Sequence, residues 1–367
     1  MNNFCADIHS TLSIKLTTNG VQVTPCCWAK NPTSTNEITN LWQSKKLQDL
    51  RELNKQDKLD PESCSQCIYM EQNGGSSRRF GVNQRYNSMA TDLSGPRGLE
   101  FEIDNTCNLA CVYCGPQLST QWRLELNTPK KQFPVRLAEP DIIKILDNLD
   151  LSNLDNIHFW GGDPLFTNTH EIILNYINKR VGLDKIYVWY NTNGTLRVNN
   201  QIQELWNRCR LVKIFFSIDD IGSRFEYIRY GAVWNQVEDN MLWYRDTVPS
   251  NVMFTIQPCM SCLNALHHSE LLNWKNKNFN TNREGDTTDL NRHNVFNQFE
   301  LGSMPVELMQ KCLELNSTDS WYQNFIGSFE HNITHQQKTK KLIAELDNRR
   351  GSNFSSIFPD LAPYFVD

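Results

Sequence analysis

From Gly98 onward, short apolar runs alternate with helical segments, and this alternation restricts the chain to a parallel α/β sheet with crossover helices. GLEFEID is followed by PDIIKILDNL, NIHFW by HEIILNYINKR, and KIYVWYN by IQELWNR. LVKIFFSID precedes VWNQVEDNMLWYR, NVMFTIQ precedes SELLNWKN, and VFNQFEL is a sixth candidate strand closed by Gly302. The runs have strand length, while the segments between them return an apolar residue every three or four positions. The pattern alone leaves open whether the sheet closes into a barrel. In both parallel architectures, function gathers beyond the C-terminal ends of the strands. Here those ends carry NTCNLACVYC, GGDP, NTNGT, SIDD and QPCMSC, in chain order. Consecutive polar, glycine-rich or sulfur-bearing loops place the chemistry on one face.

The flanks read differently. Residues 1–75 form a small cysteine-dependent module. LSIKL, the turn TNG and VQVTP predict a hairpin, and ITNLWQSKKLQDLREL predicts a helix with Leu41, Leu47, Leu50 and Leu53 at helical spacing. Residues 76–97, rich in Gly, Ser, Asn and Arg, read as the connection to the second domain at 98–302. The tail 303–367 is helical in MPVELMQKCLELN and again in QQKTKKLIAELDNRRG, where Gly351 is the expected C-cap. The loop NFNTNREGDTTDLNRHN is polar and expected to be exposed.

A hydrophobic content of 39% and a charged content of 21% over 367 residues are those of a folded globular protein. The net charge, 36 − 41 = −5, argues against nucleic acid as the main partner. The short basic clusters Arg78-Arg79 and Arg349-Arg350 are expected on solvated surface. MNNFCADIHS has no basic start followed by an apolar stretch, and no run reaches the ~18 apolar residues of a membrane span. A cytoplasmic protein is expected, where the 12 cysteines stay reduced and serve metal or catalysis rather than disulfides. Cys209 and Cys312, inside helical patterns, read as buried small hydrophobes. Cys259 and Cys262 form a CxxC beyond a strand; a buried thiol pair, a further metal site, a redox pair and a hydrogen donor are all open readings.

Three cysteines fall within residues 107–114, CNLACVYC. Structural zinc wants four ligands, whereas a four-iron cluster held by three thiolates leaves one iron to bind a substrate or cofactor. CxxxCxxC, with an aromatic residue before the last cysteine and in the loop after the first strand, resembles the radical S-adenosylmethionine (SAM) superfamily. The resemblance implies a partial (β/α)6 TIM-like barrel over 98–302 and a [4Fe-4S] cluster on Cys107, Cys111 and Cys114. The open iron would be chelated by SAM, and reductive cleavage of SAM would yield a 5′-deoxyadenosyl radical that abstracts hydrogen from a substrate. GGDP resembles the family's GGEP-type motif, which assigns Gly161, Gly162 and Asp163 to the SAM amino group; Asp is one methylene shorter than the family's Glu. Asn193 of NTNGT, Ser217 of FFSID and Arg229 of EYIRYG resemble positions near the cofactor, and Tyr113 would set its backbone against the adenine.

Cys5, Cys26, Cys27, Cys64 and Cys67 occupy the N-terminal module. Cys5, one of Cys26 or Cys27 (Cys26 slightly favoured), Cys64 and Cys67 form a four-thiolate set, for which zinc is the general expectation. The layout, running on into PESCSQCIYMEQNGGSSR, resembles the auxiliary-cluster region of SPASM/twitch-type members and implies a second [4Fe-4S] cluster, here ahead of the barrel rather than after it. A flavodoxin- or ferredoxin-like electron donor follows from the same likeness. The expected function is a radical SAM enzyme, with a peptide or protein favoured as substrate. A dehydrogenase or rearrangement enzyme acting on a sugar or nucleotide is one alternative, and a non-catalytic zinc-stabilised binding module is the other.

Overall fold

The computed structural model describes residues 3–35, 38–72, 75–86, 93–129, 132, 135–279, 290, 293–294 and 299–366. Two compact units are present. One comprises Met1–Cys107, Pro116–Asn191 and Val198–Lys213; the other comprises Asn108–Gly115, Thr192–Arg197 and Ile214–Asp367.

The first unit is built on strands β1 (Thr11–Thr17), β2 (Gly20–Thr24), β3 (Thr33–Thr35), β4 (Gly98–Glu102), β5 (Asn156–Phe159) and β6 (Tyr187–Thr192). It also holds the start of β7 (Leu211–Phe216), whose residues from Ile214 onward belong to the second unit, as does Thr192 at the end of β6. The strand order is β3-β2-β1-β4-β5-β6-β7. β1 and β2 form the predicted antiparallel hairpin, and β1–β4, β4–β5 and β5–β6 are parallel. Because side chains alternate along a strand, register sorts them by chemistry. Leu12 lies opposite Leu99 and Leu99 opposite Ile157, while Phe101 faces Phe159 and Phe159 faces Tyr190. The alternate row carries Ser13, Glu100, His158 and Trp189. Helices α1 (Ala6–Ser10), α2 (Lys45–Lys55), α3 (Ser65–Gln72), α4 (Arg78–Arg85), α5 (Thr120–Glu125), α6 (Glu139–Asp147), α7 (Thr169–Arg180) and α8 (Asn200–Arg208) complete this unit. α7 and α8 cover the apolar row: His170 meets Phe159 edge-on, and Trp206 packs on Tyr190 at 5.5 Å. Each such side chain, fully buried, contributes about 1.5–3 kcal/mol.

Four expectations change here. The hairpin does not stand apart as a module, since five residues of β1 pair with β4 in the same sheet. The connection expected over 76–97 includes α4, whose first turn is capped by Ser77 Oγ accepting from Phe80 N–H. Nor are Arg78 and Arg79 solvated. Arg78 Nε donates to Asp7 Oδ2 at 2.6 Å and its Nη2 to Glu100 Oε1 at 2.7 Å, while Arg79 pairs with Glu71. Buried carboxylates draw in the guanidinium groups, because a carboxylate left unpaired away from water costs far more than a paired one. The helix expected from Ile38 splits into a 3-10 turn, Leu41–Gln43, and α2.

The second unit holds the remainder of β7, β8 (Val252–Ile256), and a short parallel pair of β9 (Cys259–Met260) with β10 (His293–Asn294). Its helices are α9 (Gly222–Ile228), α10 (Trp234–Thr247), α11 (His268–Asn278), α12 (Val306–Leu315), α13 (Ser320–Gly327), α14 (Ile333–Arg350), α15 (Phe354–Ile357) and α16 (Ala362–Phe365). α14 ends on Gly351 at φ +64°, the left-handed C-cap that the sequence predicted. Phe354 and Phe358 then pack on Tyr227 of α9 at 5.7 and 5.4 Å, which docks the tail. Residues 295–298 of the sixth candidate strand lie outside the described residues, as do 280–289 and 291–292 of the polar loop; Leu301 opens a 3-10 turn. The fold class is thus α/β, a parallel sheet with crossover helices of the partial TIM-like kind, with five of the expected strands in place. No helix among the described residues is long and apolar enough to cross a membrane.

Candidate functional site

In the first unit the loop after β4 begins with Asp104 and runs to Cys107. Asp104 Oδ1 accepts from Thr106 N–H at 3.0 Å, and its Oδ2 accepts from Thr169 Oγ1 at 2.7 Å. Cys107 is buried. Its N–H donates to Thr120 Oγ1 at 3.2 Å, and that hydroxyl donates back to Cys107 O at 2.8 Å, so the first turn of α5 clamps the cysteine's backbone. The GGDP loop after β5 presses directly on this segment. Gly162 N–H donates to Asp104 O at 3.0 Å and Asp163 N–H to Thr106 O at 2.9 Å. Gly161 has φ +125°, and a Cβ on Gly162 would lie 2.3 Å from Thr106 O. Only glycine lets the two loops approach this closely. Asp163 is buried and accepts from Leu165 N–H at 3.0 Å, turning the chain.

In the second unit the loop continues through Cys111, Tyr113 and Cys114. Ala110 N–H donates to Tyr230 O and Val112 N–H to Ile228 O, both at 2.9 Å, which lays the loop along the end of α9. Asn193 Nδ2 donates to Asn108 Oδ1, and Asn108 Nδ2 donates to Thr195 Oγ1, both at 2.9 Å. The NTNGT loop therefore braces the cysteine loop. Ser217 N–H donates to Thr192 O at 2.8 Å, and its side chain is half-buried. Arg229 is buried, with Nη1 3.8 Å from Cys111 Sγ. Burial pushes the Cys114 thiol up to about 12, with Cys111 adding to the rise. Cys111 is raised by burial too, against the Arg229 guanidinium. Such thiols give up their protons to a metal rather than to water.

Cys259 and Cys262 have different surroundings. Cys259 N–H donates to Asp219 Oδ1 at 2.8 Å, near Cys111 and Cys114, whereas Cys262 is fully buried near Glu300 and Cys312. Cys209 and Cys312 are buried, as expected. Arg350, expected in solvent, donates from Nη2 to Ala110 O at 2.8 Å and lies over the Tyr230 ring at 4.3 Å. Arg350→Ala is expected to lower stability in urea by about 1–2 kcal/mol, because the carbonyl loses a charged donor; Arg350→Lys should recover part of that loss.

A second sulfur site lies wholly within the first unit. Cys5, Cys26, Cys64 and Cys67 line one pocket together with Asp7 and Arg79. Cys5 N–H donates to Asn54 Oδ1 at 3.0 Å, and Cys64 packs against Cys5, Ile8 and Leu50. Burial, then Cys67, pushes Cys64 up to about 11; burial with Asp7 raises Cys5 further. Cys27 is engaged elsewhere, accepting from Arg78 Nη1 at 3.3 Å beside Glu100. The bend and turn that follow β2 send the adjacent cysteines different ways, which sequence alone leaves undecided.

As the side chains are placed, no three or more His, Cys, Asp or Glu among the described residues stand together at metal-holding distance. The donor chemistry nonetheless fits iron–sulfur groups. Cys5, Cys26, Cys64 and Cys67 line their pocket with no His beside them, and Arg79 there and Arg229 at Cys111 are guanidinium groups that balance thiolate charge. Cys107, Cys111 and Cys114 stand on the loop that follows the first strand of a βα series, and sulfur donors of this kind suit an iron–sulfur group. Residues 101–258 match the model described as Radical SAM superfamily.

Curated relatives include an uncharacterized protein of Methanocaldococcus jannaschii, 31% identical over 130 residues, 35% of this chain and 41% of that protein. A GTP 3',8-cyclase of Clostridium botulinum is 24% identical over 140 residues, 38% of this chain and 40% of that protein. The chain thus spans about two fifths of the length of the curated relatives it matches. Among solved structures, native anSMEcpe with bound AdoMet is 19% identical, covering 67% of this chain and 66% of that one at a TM-score of 0.42. Streptococcus suis SuiB bound to precursor peptide SuiA is 12% identical, covering 88% and 70% at a TM-score of 0.39.

Proposed function

We propose that the chain is a radical SAM enzyme, with Cys107, Cys111 and Cys114 as three ligands of a [4Fe-4S] cluster whose remaining iron takes SAM. The carrying observation is the three-thiol loop, with Cys107 and Cys111 buried and Cys114 half-buried, beyond the first strand of a matched radical SAM domain. When bound, the cluster supplies the single electron that splits the sulfonium's bond to C5′. Gly161, Gly162 and Asp163 are assigned to the SAM amino group, Ser217 and Arg229 to its carboxylate and ribose, and the Tyr113 backbone to the adenine. Asn193 acts through Asn108, holding the loop. The electron comes from a flavodoxin- or ferredoxin-like donor.

Cys5, Cys26, Cys64 and Cys67 are proposed to hold a second [4Fe-4S] cluster, supported by their shared pocket. Reconstituted protein should then carry about eight irons per chain. Cys26→Ala is expected to lose about half of that iron, and Cys27→Ala to keep it. Equal iron loss in the two variants, or loss in Cys27→Ala alone, overturns this ligand set. Stoichiometric zinc without iron would mark a binding module instead of an enzyme.

The favoured substrate is a peptide or protein, because an auxiliary cluster accompanies such modification in the resembling families. Rearrangement of a nucleotide is the second reading, supported by the likeness to GTP 3',8-cyclases. The deciding experiment follows reduced protein with SAM and measures 5′-deoxyadenosine with GTP or with peptides present. Stimulation by GTP selects the second reading, and stimulation by peptide the first.

A further inference from the structure

The Arg229 guanidinium has two kinds of partner. Nε and Nη2 donate to Asp219 Oδ2 and Oδ1 at 2.6 and 3.1 Å, a two-pronged pair that fixes the plane of the group. Nη1 is the arm at 3.8 Å from Cys111 Sγ. Asp219 is itself pinned, by Cys259 N–H on Oδ1 and by Asn264 Nδ2 on its backbone oxygen at 2.9 Å. The Tyr113 ring lies 5.5 Å from the Arg229 carbon. Stability alone does not call for such a pair, since packed apolar residues often do as well in its place. What the pair achieves is orientation: with two arms fixed on Asp219, the third is aimed at sulfur.

We infer that Arg229, oriented by Asp219, donates an N–H to the Cys111 thiolate and raises the reduction potential of the cluster that Cys111 ligates. This rests on the reading of Cys111 as a ligand. A donor on a ligating sulfur, and a positive charge close to it, favour the more negative, reduced state of the cluster. Asp219 acts oppositely through its charge, so the pair sets the potential between two limits. Arg229 is thus a positioning and tuning residue, and its effect is on how readily a one-electron donor reduces the cluster.

The test is a redox titration of full-length reconstituted protein, followed by electron paramagnetic resonance. The signal is identified in the wild-type protein as the one that shifts on adding SAM, which singles out the cluster with the open iron, and the same signal is titrated in each variant without SAM. Arg229→Gln is expected to lower the midpoint potential, with iron and sulfide content unchanged. A raised or unchanged potential with iron retained overturns the inference. If Arg229→Gln loses iron, Arg229→Lys decides, because it keeps the charge but not the oriented fork: a lowered potential supports the inference and an unchanged one overturns it. A wild-type protein with no SAM-responsive signal instead overturns the underlying assignment of Cys111, and this inference with it.

Discussion

Alanine at Cys107, Cys111 and Cys114 together is expected to abolish release of 5′-deoxyadenosine and methionine from SAM and to remove about half of the bound iron. The effect is chemical rather than structural. What holds the loop in place is backbone bonding: Cys107 to Thr120, Ala110 to Tyr230, Val112 to Ile228 and Arg350 to Ala110 O. Alanine preserves each of these contacts. Loss of a buried thiol leaves a small cavity costing roughly 1 kcal/mol per site, so the variant should still unfold cooperatively. The iron that remains should belong to the pocket of Cys5, Cys26, Cys64 and Cys67. Undiminished SAM cleavage by the folded triple variant would falsify the assignment.

Gly162→Ala is expected to be nearly as damaging, for a reason that lies in the backbone. The added Cβ would sit 2.3 Å from Thr106 O and 2.6 Å from Asn105 C, and main-chain atoms cannot rotate away as a flexible side chain can. The GGDP loop must lift, which breaks the bonds from Gly162 N–H to Asp104 O and from Asp163 N–H to Thr106 O. Overpacking of this kind costs about 1–3 kcal/mol, and two lost backbone bonds add about 1–3 kcal/mol more. The urea midpoint should fall accordingly, and reconstitution should yield less iron on the three-cysteine loop. Gly81→Ala in α4 is the control: nothing lies within 4 Å of its new methyl, and a helix interior favours alanine. A Gly162→Ala protein as stable as that control would show that the two loops are not in contact.

Much of the site was readable because it is written in local patterns. The strands β4 to β8 follow from apolar runs of strand length, and the strand-end loops follow from where those runs stop. Spacing alone singled out Cys107, Cys111 and Cys114. What escaped is of another kind. Arg78, Arg79 and Arg350 read as surface because basic residues usually are; their partners Asp7, Glu100, Glu71 and the Ala110 carbonyl are far away in sequence. Asp219 was visible in SIDD as a carboxylate at a strand end, yet nothing local links it to Arg229 or Cys259. Thr120 and Asn108 also hold the cysteine loop, and only their short polar side chains hinted at it.

By itself, then, the amino-acid order determined the βα series, the helix stop at Gly351 and the sulfur spacing, since each depends on neighbours within a turn or a strand. Tertiary structure alone decided that the N-terminal hairpin joins the sheet beside β4, that Cys26 rather than Cys27 shares a pocket with Cys5, Cys64 and Cys67, and that Arg229 meets Cys111. The physical reason is common to all three. Strand register and the aim of a buried side chain are set by partners distant along the chain, and shifting register by one residue reverses every side chain on the strand.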